Sequence, residues 1–271
     1  MSKCVFVTGG TRNSGWAIAR RFAADGWNVV IASRDAASAA SAAAKLKDEF
    51  PSVETMGVRM DPAKVPEIRA AFAEVKARFG VLHAFVACAG HLGVGLSILS
   101  TTEEDWNAVM DCNARGTFFG AQEAMKLMTE GGAMAFVSSV HQLRAVPGRV
   151  CYTASKAAIG GLVRALAVEL GCKGIRVNSV LAGAIRTDRW DGLSEADIAK
   201  RRERWPVGRE STPDDIATAV HFLCSDAAAT ITGAELPVDG GLGACLLQYN
   251  KDWMTNDPYN VKYWKVEKLR G

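Results

Sequence analysis

Nowhere in this chain of 271 residues do apolar side chains run on for the ~18 positions that a membrane-spanning helix needs. Nor is there a C-x-x-C pair. The seven cysteines, an odd number, are scattered along the chain, which reads as free thiols in a reducing compartment and gives no case for a metal centre. Charge of one sign is also missing. The 32 Lys and Arg are interspersed with 29 Asp and Glu for a net +3, so no basic face is offered to nucleic acid or to a membrane surface. No Pro- or Ser-rich linker and no internal repeat divides the chain. No targeting segment precedes the first apolar run, and the expected location is cytoplasmic. What remains is 49% hydrophobic and 23% charged, an ordinary globular composition on a chain long enough to bury a core without staples.

Short apolar runs set the pattern. Residues 4–8, 28–33, 53–60, 82–87, 133–138, 175–181 and 235–238 read as seven strands. Helical stretches separate them. One follows Gly15, an alanine-rich one covers 35–50, and Asp61 and Pro62 suit the N-cap and first position of a third. Residues 103–130 read as a long helix interrupted near Asn113, and 213–225 as the last. Strands that alternate with helices make a parallel sheet, and continuous apolar strands make one covered on both faces. The expectation is one α/β domain over 1–241, doubly wound and mostly parallel, with an insertion at about 185–210. Residues 242–271 form an extension with two Trp and three Tyr, more aromatic than disordered tails usually are.

In an open parallel sheet, ligands bind at the carboxyl ends of the strands. The unusual residues of this chain fall there. Gly9, Thr11, Arg12, Asn13, Ser14 and Gly15 follow strand one, and Ser33 and Arg34 close strand two. Asp61 and Pro62 follow strand three, and Cys88, Ala89 and Gly90 strand four. Ser139 ends strand five, and Ala182 and Gly183 end strand six. The glycine turn lets backbone N–H groups approach a pyrophosphate at a helix N-terminus. Tyr152 and Lys156, four apart at the start of a helix, share one face. A phenol beside an ammonium is an acid–base pair, because the positive charge favours phenolate. Ser139, thirteen residues upstream, completes a set of donors suited to one small oxygen.

Taken together, the T-G-x-x-x-x-x-G turn, Asp61, Ala89-Gly90, Asn113, Ser139, Y-x-x-x-K, RVNSVLAG and PVDGG resemble the short-chain dehydrogenase/reductase family over roughly residues 3–241. The resemblance implies a Rossmann-type fold and hydride transfer between a nicotinamide dinucleotide and a carbonyl or alcohol. It makes Tyr152 the general acid, Ser139 the residue that holds the substrate oxygen, Lys156 the support of Tyr152 and of the nicotinamide ribose, and Asn113 the holder of a water. It places Ile185 and Thr187 at the nicotinamide amide and implies a homotetramer or homodimer. Departures from the family pattern are Asn13 in place of a glycine, Ala87-Cys88 before Ala89-Gly90, Ala182 before Gly183, and Pro62, which has no N–H to offer the adenine. Asn tolerates the left-handed backbone, so the turn survives.

Ser33, Arg34 and Arg12 suit a 2′-phosphate, which favours NADP(H) over NAD(H), with Asp35 as the acidic alternative. His91, His141 and Trp190 are substrate-side candidates, though a histidine in a loop is more often simply solvated. The small-molecule partner is a ketone or secondary alcohol. A 3-oxoacyl thioester, a hydroxysteroid or a sugar alcohol are narrower alternatives, and a catalytically silent dinucleotide-binding regulator is the reading of a different class.

Overall fold

In the computed structural model, which describes residues 2–129 and 131–245, seven strands form one parallel sheet in the order β3-β2-β1-β4-β5-β6-β7. The strands are β1 (Cys4–Thr8), β2 (Asn28–Ser33), β3 (Thr55–Arg59), β4 (Ala84–Ala87), β5 (Gly132–Ser139), β6 (Ile175–Ala182) and β7 (Glu235–Val238). The chain moves outward from β1 to β3, then returns to place β4 on the other side of β1. Val5 lies in register with Val29 on one flank and with Ala84 on the other. This reversal opens a crevice above the carboxyl ends of β1 and β4.

Successive strand residues face opposite ways, and the core divides accordingly. Phe6, Phe85, Met134 and Phe136 point to one face, where Ile68, Phe72 and Val75 of α3 (Val65–Phe79) and Ile159 and Val163 of α6 (Val150–Leu170) cover them. Val5, Val7, Val29, Ile31 and Val86 point to the other. There they meet Ile18 and Phe22 of α1 (Asn13–Ala24), Leu46 of α2 (Ala36–Glu49), and Ile216, Val220 and Leu223 of α8 (Pro213–Cys224). Strands covered on both sides need apolar residues at every position, which is why they read as unbroken runs.

Three differences from expectation have local causes. The third helix begins at Val65, not at Pro62, with Lys64 as N-cap and Pro66 in its first turn. The Asp61 carboxylate instead accepts the Ala63 N–H at 3.1 Å, a local side-chain turn that competes with helix. β4 starts at Ala84, because Leu82 N–H donates to the Leu127 carbonyl at 3.0 Å before the ladder begins. The long helix predicted at 103–130 is α4 (Glu103–Met110), a π-helical turn over Asp111–Arg115, and α5 (Gly116–Met125). The interruption expected near Asn113 is therefore a π turn, a feature often found at functional sites. Residues 185–210 carry a 3-10 turn at Asp188–Trp190 and one short α-helix, α7 (Glu195–Arg202). The predicted aromatic extension lies outside the described residues beyond Cys245.

Candidate active site

A cleft of about 600 Å³ runs along the carboxyl ends of the strands. Its cradle is the turn between β1 and α1. Gly9 has φ +66°, and Asn13 has φ +48°, the left-handed conformation anticipated for it. Gly15 packs so tightly that a β-carbon would overlap the Gly9 carbonyl oxygen. At Gly9 and Gly15 the turn therefore brings bare backbone to the cleft wall. No acidic residue lies in the first turn of α1, so the N–H groups and helix dipole there face an anion unopposed. Thr8 Oγ1 accepts the N–H groups of Cys88 and Ala89, both at 2.9 Å, and ties this turn to the end of β4.

Ser33 and Arg34, at the end of β2, line the same cleft with Arg12. Asp35 does not line it; Asp35 caps α2, and its Oδ1 accepts the Ser38 N–H at 2.7 Å. Met60 and Pro62 form the wall beyond β3, whereas Asp61 is not among the lining residues. Beside the cleft a smaller hollow is shared by Arg12, Ser38, Ser41 and Lys45.

At the other end, β5 delivers Ser139 and α6 delivers Tyr152 and Lys156 to one wall. Ser139 Oγ accepts the His141 N–H at 3.2 Å, which fixes the hydroxyl at the start of the turn after β5. Tyr152 sits in the first turn of α6 and is buried; it is the one tyrosine among the described residues. Lys156 lies one turn further on. Its Nζ is 5.6 Å from the centre of the Tyr152 ring and donates to the Val137 carbonyl at 2.9 Å. Lys156 is 4% exposed, and among the described residues no carboxylate pairs with it. A buried ammonium held only by a carbonyl acts undiluted on its neighbours.

Asn113 stands one layer behind this wall. Its side chain does not line the cleft but is fully buried behind it. Oδ1 accepts the His91 N–H at 2.7 Å, and Nδ2 donates to the His91 carbonyl and to Ser155 Oγ, both at 2.9 Å. The amide is spent on protein partners. Its backbone carbonyl, within the π turn, accepts Thr117 Oγ1 at 2.6 Å.

Of the substrate-side candidates, His91, His141 and Trp190 all line the cleft, as do Ile185 and Thr187. His141 stacks edge-on against Tyr152 with ring centres 5.5 Å apart. Burial, and secondarily the Arg149 guanidinium, push the His141 pKa down. Trp190 packs against Trp205. The insertion that carries it is anchored by Arg202, which holds the buried Glu210 carboxylate in two hydrogen bonds of 2.8 and 2.9 Å. That pairing keeps the Glu210 carboxyl below the usual range. Sequence reasoning missed two lining residues with clear roles in the wall. Thr8 was signalled by a hydroxyl closing an apolar strand at its carboxyl end. Arg149 was signalled only by standing three residues before Tyr152.

Among the described residues, no Asp or Glu lines the cleft, while Arg12, Arg34, Arg149 and Lys156 do. A cradle with bare backbone at Gly9 and Gly15, and a cleft with cations and, among the described residues, no carboxylates, fit a dinucleotide with its phosphates. Comparison with known proteins agrees. A family model described as enoyl-(acyl carrier protein) reductase matches residues 10–243. The chain is 35% identical over 241 residues to a 3α-hydroxysteroid dehydrogenase of Mediterraneibacter gnavus, covering 88% of this chain and 96% of that one. It is 36% identical over 245 residues to the 3-oxoacyl-[acyl-carrier-protein] reductase FabG of Chlamydia muridarum, covering 89% and 98%. A solved double mutant of a Serratia marcescens short-chain dehydrogenase/reductase superposes with a TM-score of 0.82 at 29% identity, covering 89% and 98%. The chain belongs to the short-chain dehydrogenase/reductase family. It is an oxidoreductase of the NAD(P)H-dependent kind, acting on CH–OH and C=O groups.

Proposed function

We propose that this protein interconverts a ketone and a secondary alcohol, with NADP(H) in the cleft and Tyr152 as proton donor and acceptor. The observation that carries this is the meeting of Ser139, Tyr152 and Lys156 on one wall, at the end of the cleft away from Arg12 and Arg34. Bound there, a reduced nicotinamide supplies the hydride. Tyr152 gives its phenolic proton to the carbonyl oxygen as negative charge develops on it. Ser139 Oγ donates to the same oxygen, so the developing alkoxide rests between two hydroxyls. Lys156 stabilises the phenolate left on Tyr152 by its charge. Asn113 acts one layer back, bracing Ser155 and the His91 backbone so that α6 and the β4 loop keep their spacing.

NADP(H) is favoured over NAD(H) because Arg12, Arg34, Ser33 and the hollow with Ser38, Ser41 and Lys45 surround the place for a 2′-phosphate. Asp35, the acidic alternative, is occupied as a helix cap. The two curated relatives act, by their names, on a 3-oxoacyl group and on a 3α-hydroxysteroid. Both names denote a secondary alcohol or a ketone as the reacting group, one on a steroid and one on an acyl chain, which supports that reacting group here. The protein works as a homotetramer or homodimer in this reading. The test is NADPH and NADH oxidation with 3-oxoacyl thioesters, steroid ketones, sugars and small ketones. Arg34→Asp is expected to shift relative kcat/KM toward NADH by tenfold or more, on the order of one lost charge-assisted contact. An unchanged ratio removes Arg34 as the determinant.

A further inference from the structure

Arg149 is a cation at the substrate end of the cleft, in a place where the dinucleotide phosphates have no use for one. It is the N-cap residue of α6, three positions before Tyr152, and it lines the cleft together with His91 and His141. One of its five N–H donors, on Nη1, is taken by the Leu92 carbonyl at 3.1 Å. Among the described residues no Asp or Glu pairs with it, and none lines the cleft anywhere. Two more polar atoms face the same region. Among the described residues, His141 Nδ1 is buried without a hydrogen-bond partner, an arrangement that favours a ligand able to supply one. His91 Nδ1 accepts the Gly93 N–H at 3.2 Å, so a neutral His91 carries its proton on Nε2. Around them Leu92, Val140 and Leu242 supply apolar wall.

We infer that Arg149, with His141 and His91 beside it, is the subsite for a carboxylate on the substrate, and that the substrate is a short oxo acid or the matching hydroxy acid. The inference rests on the ketone-reduction reading above and narrows it. Arg149 and Tyr152 are three positions apart in the chain and line the same cleft, so one short molecule reaches both, with its carboxylate at the first and its ketone at the second. A guanidinium with free N–H groups takes a carboxylate in a two-point contact that an ester or thioester does not offer. The free acid, not a thioester, is therefore the form that fits.

The experiment uses the full-length protein with 3-oxobutanoate, 4-oxopentanoate and their methyl esters. For the unaltered protein, kcat/KM for at least one acid exceeds that of its ester by tenfold or more. In Arg149→Met that preference collapses through KM for the acid, and Arg149→Lys restores part of it. A binding readout stands apart from turnover. In Tyr152→Phe with bound NADPH, the acids quench or shift cofactor fluorescence saturably and the esters do not, and Arg149→Met in that background removes the response. This binding arm decides the question even where Arg149→Met alone fails to fold. Equal handling of acids and esters overturns the subsite and leaves ketone reduction standing. So does an Arg149→Met variant that loses both alike, since Arg149 then only pins the Leu92 loop. Saturable acid binding with no turnover of any ketone overturns the reaction and leaves the subsite. Neither turnover nor binding overturns both.

Discussion

Asn113 Nδ2 donates to Ser155 Oγ at 2.9 Å, and this bond joins the π turn after α4 to the helix that carries Tyr152 and Lys156. Ser155 in turn donates to the Tyr152 carbonyl at 2.8 Å. Removing the amide takes a partner from the fully buried Ser155 hydroxyl and from the His91 N–H and carbonyl. Asn113→Ala is expected to cost about 1–3 kcal/mol, from unsatisfied buried groups, and to lower kcat more than it raises KM for the dinucleotide. Thermal unfolding and steady-state kinetics measure both. Unchanged kcat in a destabilised variant would reduce Asn113 to a purely structural brace.

Gly15 faces the Gly9 carbonyl with no room for a side chain. Gly15→Ala has to push the turn open, and with it the N–H groups aimed at the pyrophosphate. Dinucleotide Kd, read by fluorescence titration, is expected to rise at least tenfold, about 1.4 kcal/mol. Binding as tight as in the unaltered protein contradicts the cradle.

The cysteines near the cleft are set for inertness. Burial pushes the Cys88 thiol up to about 11 and raises Cys112 as well, and it pushes Cys4 and Cys224 up to about 12. The thiolate is the reactive form. Alkylation near pH 7.5, followed by mass spectrometry, is expected to reach the exposed Cys172 first and to leave Cys88 unmodified and turnover intact. Early modification of Cys88 with loss of dinucleotide binding is the contrary result.

Asp215 links acid stability to the insertion. Arg209 holds its carboxylate in hydrogen bonds of 2.6 and 3.0 Å, and the Thr212 N–H adds another at 2.7 Å. These hold the Asp215 carboxyl well below the usual range, Arg209 foremost. A depressed folded value gives stability that is full above the unfolded value of about 4 and is lost as pH falls through the folded one. Asp215→Asn should therefore lower Tm at pH 7, with the two Tm curves converging on acidification below about pH 4. Parallel curves down to low pH would contradict it.

Much of this was legible in the sequence for a physical reason. Strands buried on both faces are apolar throughout, so all seven stood out, and with them the loops at their carboxyl ends, most of which line the cleft. The break near Asn113 was visible as a flaw in a helix. Less was legible where two local signals compete. Pro62 and Pro66 both suit a helix start, and only the Asp61 turn decides for the second. Asp61 and Asn113 stood out by motif, but the motif does not announce the bonds their side chains make to Ala63 and Ser155. Arg149 went unremarked, because nothing in a loop sequence says which side chain returns to the cleft. The isolated bridge between Leu96 and Arg149, which brings two loops together, is a tertiary fact.

The most direct test of the account is ketone-dependent NADPH oxidation at 340 nm, comparing the unaltered protein with Tyr152→Phe. The phenylalanine keeps the ring against His141 and removes only the proton that reaches the carbonyl oxygen. The expected result is a fall in kcat of at least a hundredfold, the low end of general acid catalysis, with NADPH still bound by fluorescence titration. Turnover that survives this change would show that the proton comes from elsewhere and that the wall of Ser139, Tyr152 and Lys156 is not where the reaction takes place.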